Sequence, residues 1–407
     1  MVATAVESVP VQPVLTDPDS SIEATKAETG PTCPIELDKL QSILNKAVKA
    51  QGTIADVRCQ ILGEGKGFVS VVTRVCLEWN IKRSSGLEKL PRSVVIKRPT
   101  NVKLQQFGEE FGKLGTMECV TKLHNCEIGT YRMLLNSGNP PFKMPRCYHL
   151  EEMNEESEGM IILEDLSETA CSTEFMEYFS LKKVETLLEV IASLQCFSLK
   201  TKGWENYAGK EHLTMYNQIA EMYSGAVEYA VERYGDKIHI DADKSKILLP
   251  RFKQMVEEIT EPEKFGHYPV LSYGDLQPNN ILWQKNSAGK ASDELAAMID
   301  YQILHKSMPC EDVAMILLFY LEPDVRRLHE KRLMEYYYEL LVRKMAPESV
   351  PFTLDEVTKC YDNFKVFNAV FYLSFARGVV EIFNINNINE LYVKHLNGLL
   401  DDVADKL

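Results

Sequence analysis

The stretch from Leu271 to Asp300 restricts what this chain can fold into more than any other. It opens with LSYGDLQPNNILW, an acid and two asparagines packed into six positions between apolar flanks. Asp275, Asn279 and Asn280 are poor strand and helix formers, so the chain must bend there and the polar groups must be satisfied. Beyond the bend come apolar Ile281 to Trp283, the polar run QKNSAGKASDE (284–294), and apolar Leu295 to Ile299. This is the pattern of a β-hairpin whose loop contains Asn286 and Gly289. Its arms are nearly equal about position 290, so an antiparallel return brings Asp300 back beside Asn280, with Asp275 just before it. Hard oxygen ligands of this kind suit Mg²⁺, which takes one or two carboxylates and completes its shell with substrate phosphates. Taken singly, Asp275 and Asn280 are turn formers and Asp300 is an acid at a strand end. Their joint spacing is what argues for a site.

The rest of the chain divides around this segment. At 407 residues it is longer than a single core usually supports, and two lobes are expected. Residues 1–33 are rich in Pro, Ser, Thr, Ala and acid, too poor in large apolar side chains to offset their ordering entropy, and are expected to be a disordered tail. Ile35, Leu37, Leu40, Ile43, Leu44 and Val48 recur at helical spacing. FVSVVTRVCLEW (68–79) and SVVIK (93–97) read as strands with a polar turn at 84–86, a helix is predicted over 118–135, and GMIILEDL (159–166) is a buried strand. From Leu181 onward the pattern is mostly helical. The sequence therefore predicts an α+β chain: a strand-rich lobe over 34–166 and a mostly helical lobe over 167–407.

Composition excludes other classes. The net charge is −14 with no basic block, so a broad nucleic-acid-binding face is not expected. The longest apolar run, Val313 to Leu321, is nine residues, against about 20 for a membrane span, and reads as a core helix. No charged-then-apolar leader opens the sequence. The ten cysteines include no C-x-x-C pair, so reduced thiols in the cytoplasm are the simplest expectation.

A second cluster lies upstream. GEGKGF places Gly63, Gly65 and Gly67 ahead of the strand at Phe68, where glycines let backbone N–H groups approach phosphates. Alone, this is more often merely a turn. Lys97 ends an apolar strand and Glu127 lies in the helical LHNCEIGTYRMLL; by themselves they read as a solvated lysine and an exposed acid. In that order, however, a glycine-rich hairpin, a strand lysine and a helix glutamate match a phosphate-gripping lobe.

At this point the chain resembles a known group. YGDLQPNN is similar to the H-G-D-x-x-x-x-N loop of the aminoglycoside phosphotransferase and choline kinase group, and MIDYQ to its metal-binding segment. With LHNCEIGTYRML, GMIILEDLS and MIDYQILHKSMPCEDVAMILL, the chain resembles the CHK kinase-like (ecdysteroid kinase-like) family, especially its nematode branch, over about residues 40–400. The resemblance implies a bilobal protein-kinase-like fold and an ATP-dependent, Mg²⁺-assisted phosphotransferase acting on a hydroxyl of a small molecule. It implies Asp275 as the catalytic acid or base, and Asn280 and Asp300 as metal ligands. Lys97 would pair with the phosphates and Glu127, with backbone around Gly63, Gly65 and Gly67 over the triphosphate. Backbone near Glu164, Asp165 and Leu166 would receive adenine, and Asp312 would brace the loop. Tyr273 departs from the family, which has His there.

The acceptor is not specified. Trp204, Tyr207, Tyr216, Tyr223, Tyr229 and Tyr234, and later Phe364, Phe367, Phe371, Tyr372 and Phe375, can line a pocket for a quaternary ammonium or a flat alcohol; core packing is the ordinary role for such residues. The alternative function is a non-catalytic nucleotide-binding protein that kept the fold. A protein kinase is a weaker option, since the helical insertion before the YGDLQPNN loop resembles small-molecule kinases.

Overall fold

The computed structural model describes residues 31–63, 69–80, 90–102, 105, 115–240, 242–374 and 388–404. Gly65, Gly67, Phe68, the turn at 84–86, Phe375 and all but the end of the N-terminal tail lie outside the described residues.

The first lobe is an antiparallel sheet with helices on its faces. Helix α1 (Leu37–Val48) buries Leu40, Leu44 and Val48, the stripe read from its spacing. Strands β1 (Thr53–Leu62), β2 (Ser70–Asn80) and β3 (Ser93–Pro99) follow. Helix α2 (Met117–Asn136) is capped by Thr116, whose side chain accepts the Cys119 N–H. Strands β4 (Cys147–Met153) and β5 (Glu158–Glu164) complete a five-stranded sheet in the order β1-β2-β3-β5-β4. The apolar run of β5 is explained by burial on both faces. Met160 and Ile162 join Leu40, Leu44, Val75, Leu77, Val94 and Ile96 in one core. Ile161 and Leu163 point the other way, into the large core that continues into the second lobe.

The second lobe is mainly helical. Strand β6 (Ala170–Cys171) precedes α3 (Leu181–Lys200), capped by Ser180. Then come α4 (Glu211–Tyr234), α5 (Ala242–Thr260) and β7 (Val270–Ser272). Strands β8 (Ile281–Lys285) and β9 (Ala291–Met298) form the expected hairpin. Its turn is shorter than the sequence indicated: Asn286 accepts the N–H groups of Ala288 and Lys290, and the polar residues after Lys290 continue β9 as a partly exposed edge. Strand β10 (His305–Ser307) pairs with β7. Helices α6 (Glu311–Tyr320), α7 (Pro323–Met345), α8 (Leu354–Ser374) and α9 (Ile388–Asp402) close the lobe. The architecture is the bilobal kinase-like α+β fold.

One expectation changes on contact with the structure. Cys310, before α6, and Cys360, within α8, are joined by a disulfide, so the thiols are not all reduced. The partners are 50 residues apart, and only the packing of α6 on α8 brings them together. Most of the named aromatics are core: Trp204, Tyr216, Tyr223, Tyr234, Phe364, Phe367 and Tyr372 are buried, whereas Tyr207 is exposed. Among the described residues, no helix is long and apolar enough to cross a membrane.

Candidate active site

Strand β7 is buried along its length and delivers the chain to Tyr273, Gly274 and Asp275. Gly274 adopts φ +77°, and a Cβ there would lie 2.8 Å from the His305 ring and 3.0 Å from the Ile303 carbonyl oxygen. Glycine is therefore required by both conformation and space. Asp312, in the first turn of α6, accepts the N–H groups of Tyr273 (2.7 Å) and Gly274 (3.0 Å). This is the brace the resemblance implied. Burial and then neighbouring Glu311 push its carboxyl up to about 6. Tyr273 is buried and donates its hydroxyl to the Ile299 carbonyl, tying the loop to the end of the hairpin next to Asp300. The position thus supports the loop through a phenol rather than an imidazole.

After Asp275 the chain turns at once. The Gln277 N–H bonds to the Asp275 carbonyl at 2.7 Å, and Pro278 starts a one-turn 3₁₀ helix ending at Asn280. The Asn280 amide nitrogen donates to the Asp275 side-chain Oδ2 (2.9 Å) and main-chain oxygen (3.1 Å). Facing two acceptors, this end of the amide is the NH₂ group, which directs the carbonyl Oδ1 away from Asp275. Burial, then the charge on Asp300, raises the Asp275 carboxyl to about 7.

The hairpin register completes the convergence. Ile281 pairs with Met298, and the Ile299 N–H donates to the Asn280 carbonyl at 3.0 Å. Asp300 follows in a left-handed conformation, φ +65°, which costs about 1–3 kcal/mol for a non-glycine residue. The turn brings its carboxylate to Lys97, 2.8 Å away, and Lys97 also contacts Glu127 of α2 at 2.6 Å. Lys97 is buried on β3, between Val72 of β2 and Ile161 of β5. Burial opposes its charge, but Asp300 and Glu127 together outweigh burial and hold the ammonium above its ordinary range. Burial, partly offset by Lys97, raises Glu127 to about 7.

Among the described residues no three His, Cys, Asp or Glu side chains form a metal cage. The donors that are present are the Asn280 amide oxygen and the Asp300 carboxylate. That set fits a hard, magnesium-like cation that draws its remaining ligands from water and phosphate.

The other expected residues fall on the first lobe. Gly63 follows β1 with φ +59°. At the end of β5 the Glu164 N–H donates to the Arg146 carbonyl (2.8 Å), and just beyond it the Leu166 carbonyl accepts the Ala170 N–H (2.8 Å). Asp165 accepts the Ser93 hydroxyl (2.7 Å) and pairs with Arg74 (3.0 Å), which fastens this connector to β2 and β3. Its side chain is structural, and two of the three residues' backbone groups are already engaged.

Sequence reasoning missed a group behind the loop. His305, Glu311, Tyr216 and His212 are buried together beneath Gly274. The available signal was His305 and Glu311, six residues apart, within MIDYQILHKSMPCEDVAMILL.

Comparison with known proteins places the chain. It is 25% identical over 336 residues to "Uncharacterized oxidoreductase dhs-27" of Caenorhabditis elegans, matching 80% of this chain and 39% of that protein. The chain thus spans about two fifths of that relative's length. It is also 25% identical over 274 residues to "Uncharacterized kinase-like protein D1044.1" of the same nematode, covering 64% of this chain and 68% of the other. Choline kinase from Cryptosporidium parvum Iowa II superposes with a TM-score of 0.47 at 14% identity, covering 91% of this chain and 96% of that one. The family model described as "DUF1679: Uncharacterized oxidoreductase dhs-27" matches residues 33–406, and the chain belongs to that family.

Proposed function

We propose that this protein transfers the terminal phosphoryl group of ATP to a hydroxyl of a small molecule. The observation that carries this reading is the convergence of Asp275 and Asn280 with Asp300, and of Asp300 with the Lys97–Glu127 pair, from segments up to 203 residues apart. Phosphoryl transfer asks a protein chiefly for positioning and charge stabilisation. We take residues 34–166 as the nucleotide-gripping lobe and 167–407 as the lobe that carries the acceptor.

In this reading Lys97, held in place by Glu127, contacts the nucleotide phosphates. Backbone N–H groups around Gly63, Gly65 and Gly67 would cover them, and the connector at Glu164, Asp165 and Leu166 would receive the base through backbone groups. Asn280 and Asp300 would hold a Mg²⁺ ion, which would supply neutralisation of charge on the phosphates. Asp275 orients the acceptor hydroxyl and takes its proton as the new oxygen–phosphorus bond forms; the bond to the β-phosphate oxygen breaks and ADP leaves. A carboxyl that titrates near neutrality is suited to that proton transfer.

The oxidoreductase name belongs to a relative of which this chain matches 39%. Every ladder of the three described sheets is antiparallel, and the sequence has no G-x-G-x-x-G turn. Neither feature supports a dinucleotide-binding fold in this segment.

The test is Mg²⁺-dependent ATP turnover against a pooled library of small hydroxyl compounds, with Asp275→Ala alongside. A phosphorylated product from the wild-type chain alone supports the reading and identifies the acceptor class. Binding of Mg²⁺–ATP without turnover of any acceptor favours a nucleotide-binding protein instead.

A further inference from the structure

Behind the loop that carries Asp275 lies a buried ion pair that the reaction as described does not use. His305 Nδ1 is 2.7 Å from the Ile303 carbonyl oxygen, and its Nε2 is 3.1 Å from Glu311 Oε2. A carbonyl only accepts, so Nδ1 must carry a proton. Glu311 is itself the acceptor for the Tyr216 hydroxyl on Oε1 (2.5 Å) and the Ser307 hydroxyl on Oε2. With acceptors at both nitrogens, the arrangement is satisfied when the imidazole is cationic and Glu311 is ionised. A neutral ring protonated at Nδ1 would turn a lone pair toward the carboxylate. The ring of His212 stacks on His305 with centroids 3.7 Å apart and planes 15° apart. Neither His212 nitrogen has a hydrogen-bond partner among the described residues. A neutral imidazole lying against a charged one is the arrangement those contacts favour.

The place of this pair gives it a consequence. A Cβ at residue 274 would meet His305 Cε1 at 2.8 Å and Nδ1 at 2.9 Å, so the imidazole is the wall against which the left-handed turn at Gly274 is pressed. We propose that the buried His305–Glu311 pair is a positioning device for Asp275, holding the turn at Gly274 and with it the direction in which the Asp275 carboxylate leaves the loop. The catalytic consequence rests on the phosphotransferase reading; the positioning does not.

The charged and titratable groups around His305 are Glu311 and Asp312 from α6, and neutral His212 and Tyr216 from α4. Asp275 lies one residue beyond Gly274, and neighbouring Lys306 turns outward to Glu263. Burial lowers the His305 pKa, but the two carboxylates outweigh burial and raise it above its ordinary value. Proton loss as pH rises therefore removes the attraction that holds the ring against Gly274, and loop order falls on the alkaline side.

The experiment uses the full chain with ¹³C-labelled histidine, in wild type, Glu311→Gln and Tyr216→Phe. Expected for wild type is a His305 imidazolium at neutral pH by NMR; in Glu311→Gln the ring is neutral. Amide exchange across residues 270–280 speeds up in that variant, and exchange in α9 does not change. If the chain turns over an acceptor, kcat of Glu311→Gln falls about 10- to 100-fold with KM for ATP unchanged, the pattern of a displaced catalytic group. Tyr216→Phe, which keeps the ring and removes one donor to Glu311, shifts the exchange in the same direction by a smaller amount and serves if Glu311→Gln does not fold. A neutral His305 in wild type, or unchanged loop exchange in a folded variant, overturns the proposal. A wild-type chain with no turnover sinks the kinase reading alone, because titration and exchange still decide this one.

Discussion

Asp275 is a carboxylate where the fold disfavours a charge, and that conflict can be measured. Its pKa is raised from 3.8 to about 7 by burial and by Asp300. Through that window the folded chain keeps a proton the unfolded chain has released, so this group's contribution to stability falls as pH rises. Asp275→Asn preserves the shape and an acceptor for Asn280 but carries no charge. The variant should be more stable than wild type by roughly 2–4 kcal/mol near neutral pH, since each tenfold change in proton affinity amounts to ~1.4 kcal/mol. The gap should close as pH falls toward 4, in thermal melts of the ligand-free protein. Equal melting at neutral pH would mean that Asp275 is better solvated than its burial indicates. In the wild-type protein kcat should rise with pH through about 7 as Asp275 ionises. Asp275, Asn280 and Asp300 were legible because a hairpin of near-equal arms fixes their meeting by counting residues. Lys97 and Glu127 gained meaning only from their order and from resemblance, since nothing local says that a strand lysine and a helix glutamate 30 residues later will touch. His305 and Glu311 were not legible as a pair, because residues six apart meet only where the chain turns back, here between β10 and α6.

At the scale of elements, the last helix shows how closely this fold is packed. Helix α9 crosses the start of α7 at Gly398, where a Cβ would come within 2.2 Å of the Pro323 ring. The crossing is pinned by Arg326 and Arg327 of α7, both paired with Asp402, while Arg327 also donates to the Gly398 carbonyl at 3.0 Å. Gly398→Ala therefore forces the helices apart against these ties. It should cost about 1–3 kcal/mol, as overpacking does, read as a lower urea midpoint at unchanged slope. A midpoint equal to or above wild type would show that the gain in helix propensity outweighs the clash. Element type was legible where burial imposes a period: α1, α2, the doubly buried β5 and the core helix α6 all follow their patterns. Strand β4 was not, because it is a sheet edge carrying Glu151 and Glu152. Those acids pair with Lys39 and Arg132 instead of alternating with a buried set. The Cys310–Cys360 link was hidden for a similar reason, its partners being set by helix packing rather than by spacing.

For the whole molecule, the relevant fact is that charge gathers where the lobes meet. Asp275, Glu127 and Asp300 surround one ammonium, Lys97, in a chain that already carries −14. A bare triphosphate entering this site meets more negative charge than positive, and a divalent cation between Asn280, Asp300 and the phosphates reverses that balance. Nucleotide binding is therefore expected to require the metal and to stabilise both lobes together. At a ligand concentration of about 100 Kd the gain is ~2.7 kcal/mol, seen as one upward-shifted melting transition with Mg²⁺–ATP. Chelating the metal should abolish most of the shift. Lys97→Met tests the same balance without dismantling the fold, because Glu127, already raised to about 7, can take a proton when its partner is lost. The variant should melt near the wild-type temperature in the absence of ligand and show no shift with Mg²⁺–ATP. An equal shift with and without the metal would place the nucleotide away from Asp300. No shift in the wild-type chain would remove the nucleotide from this site altogether and leave Lys97 as a structural tie between the lobes.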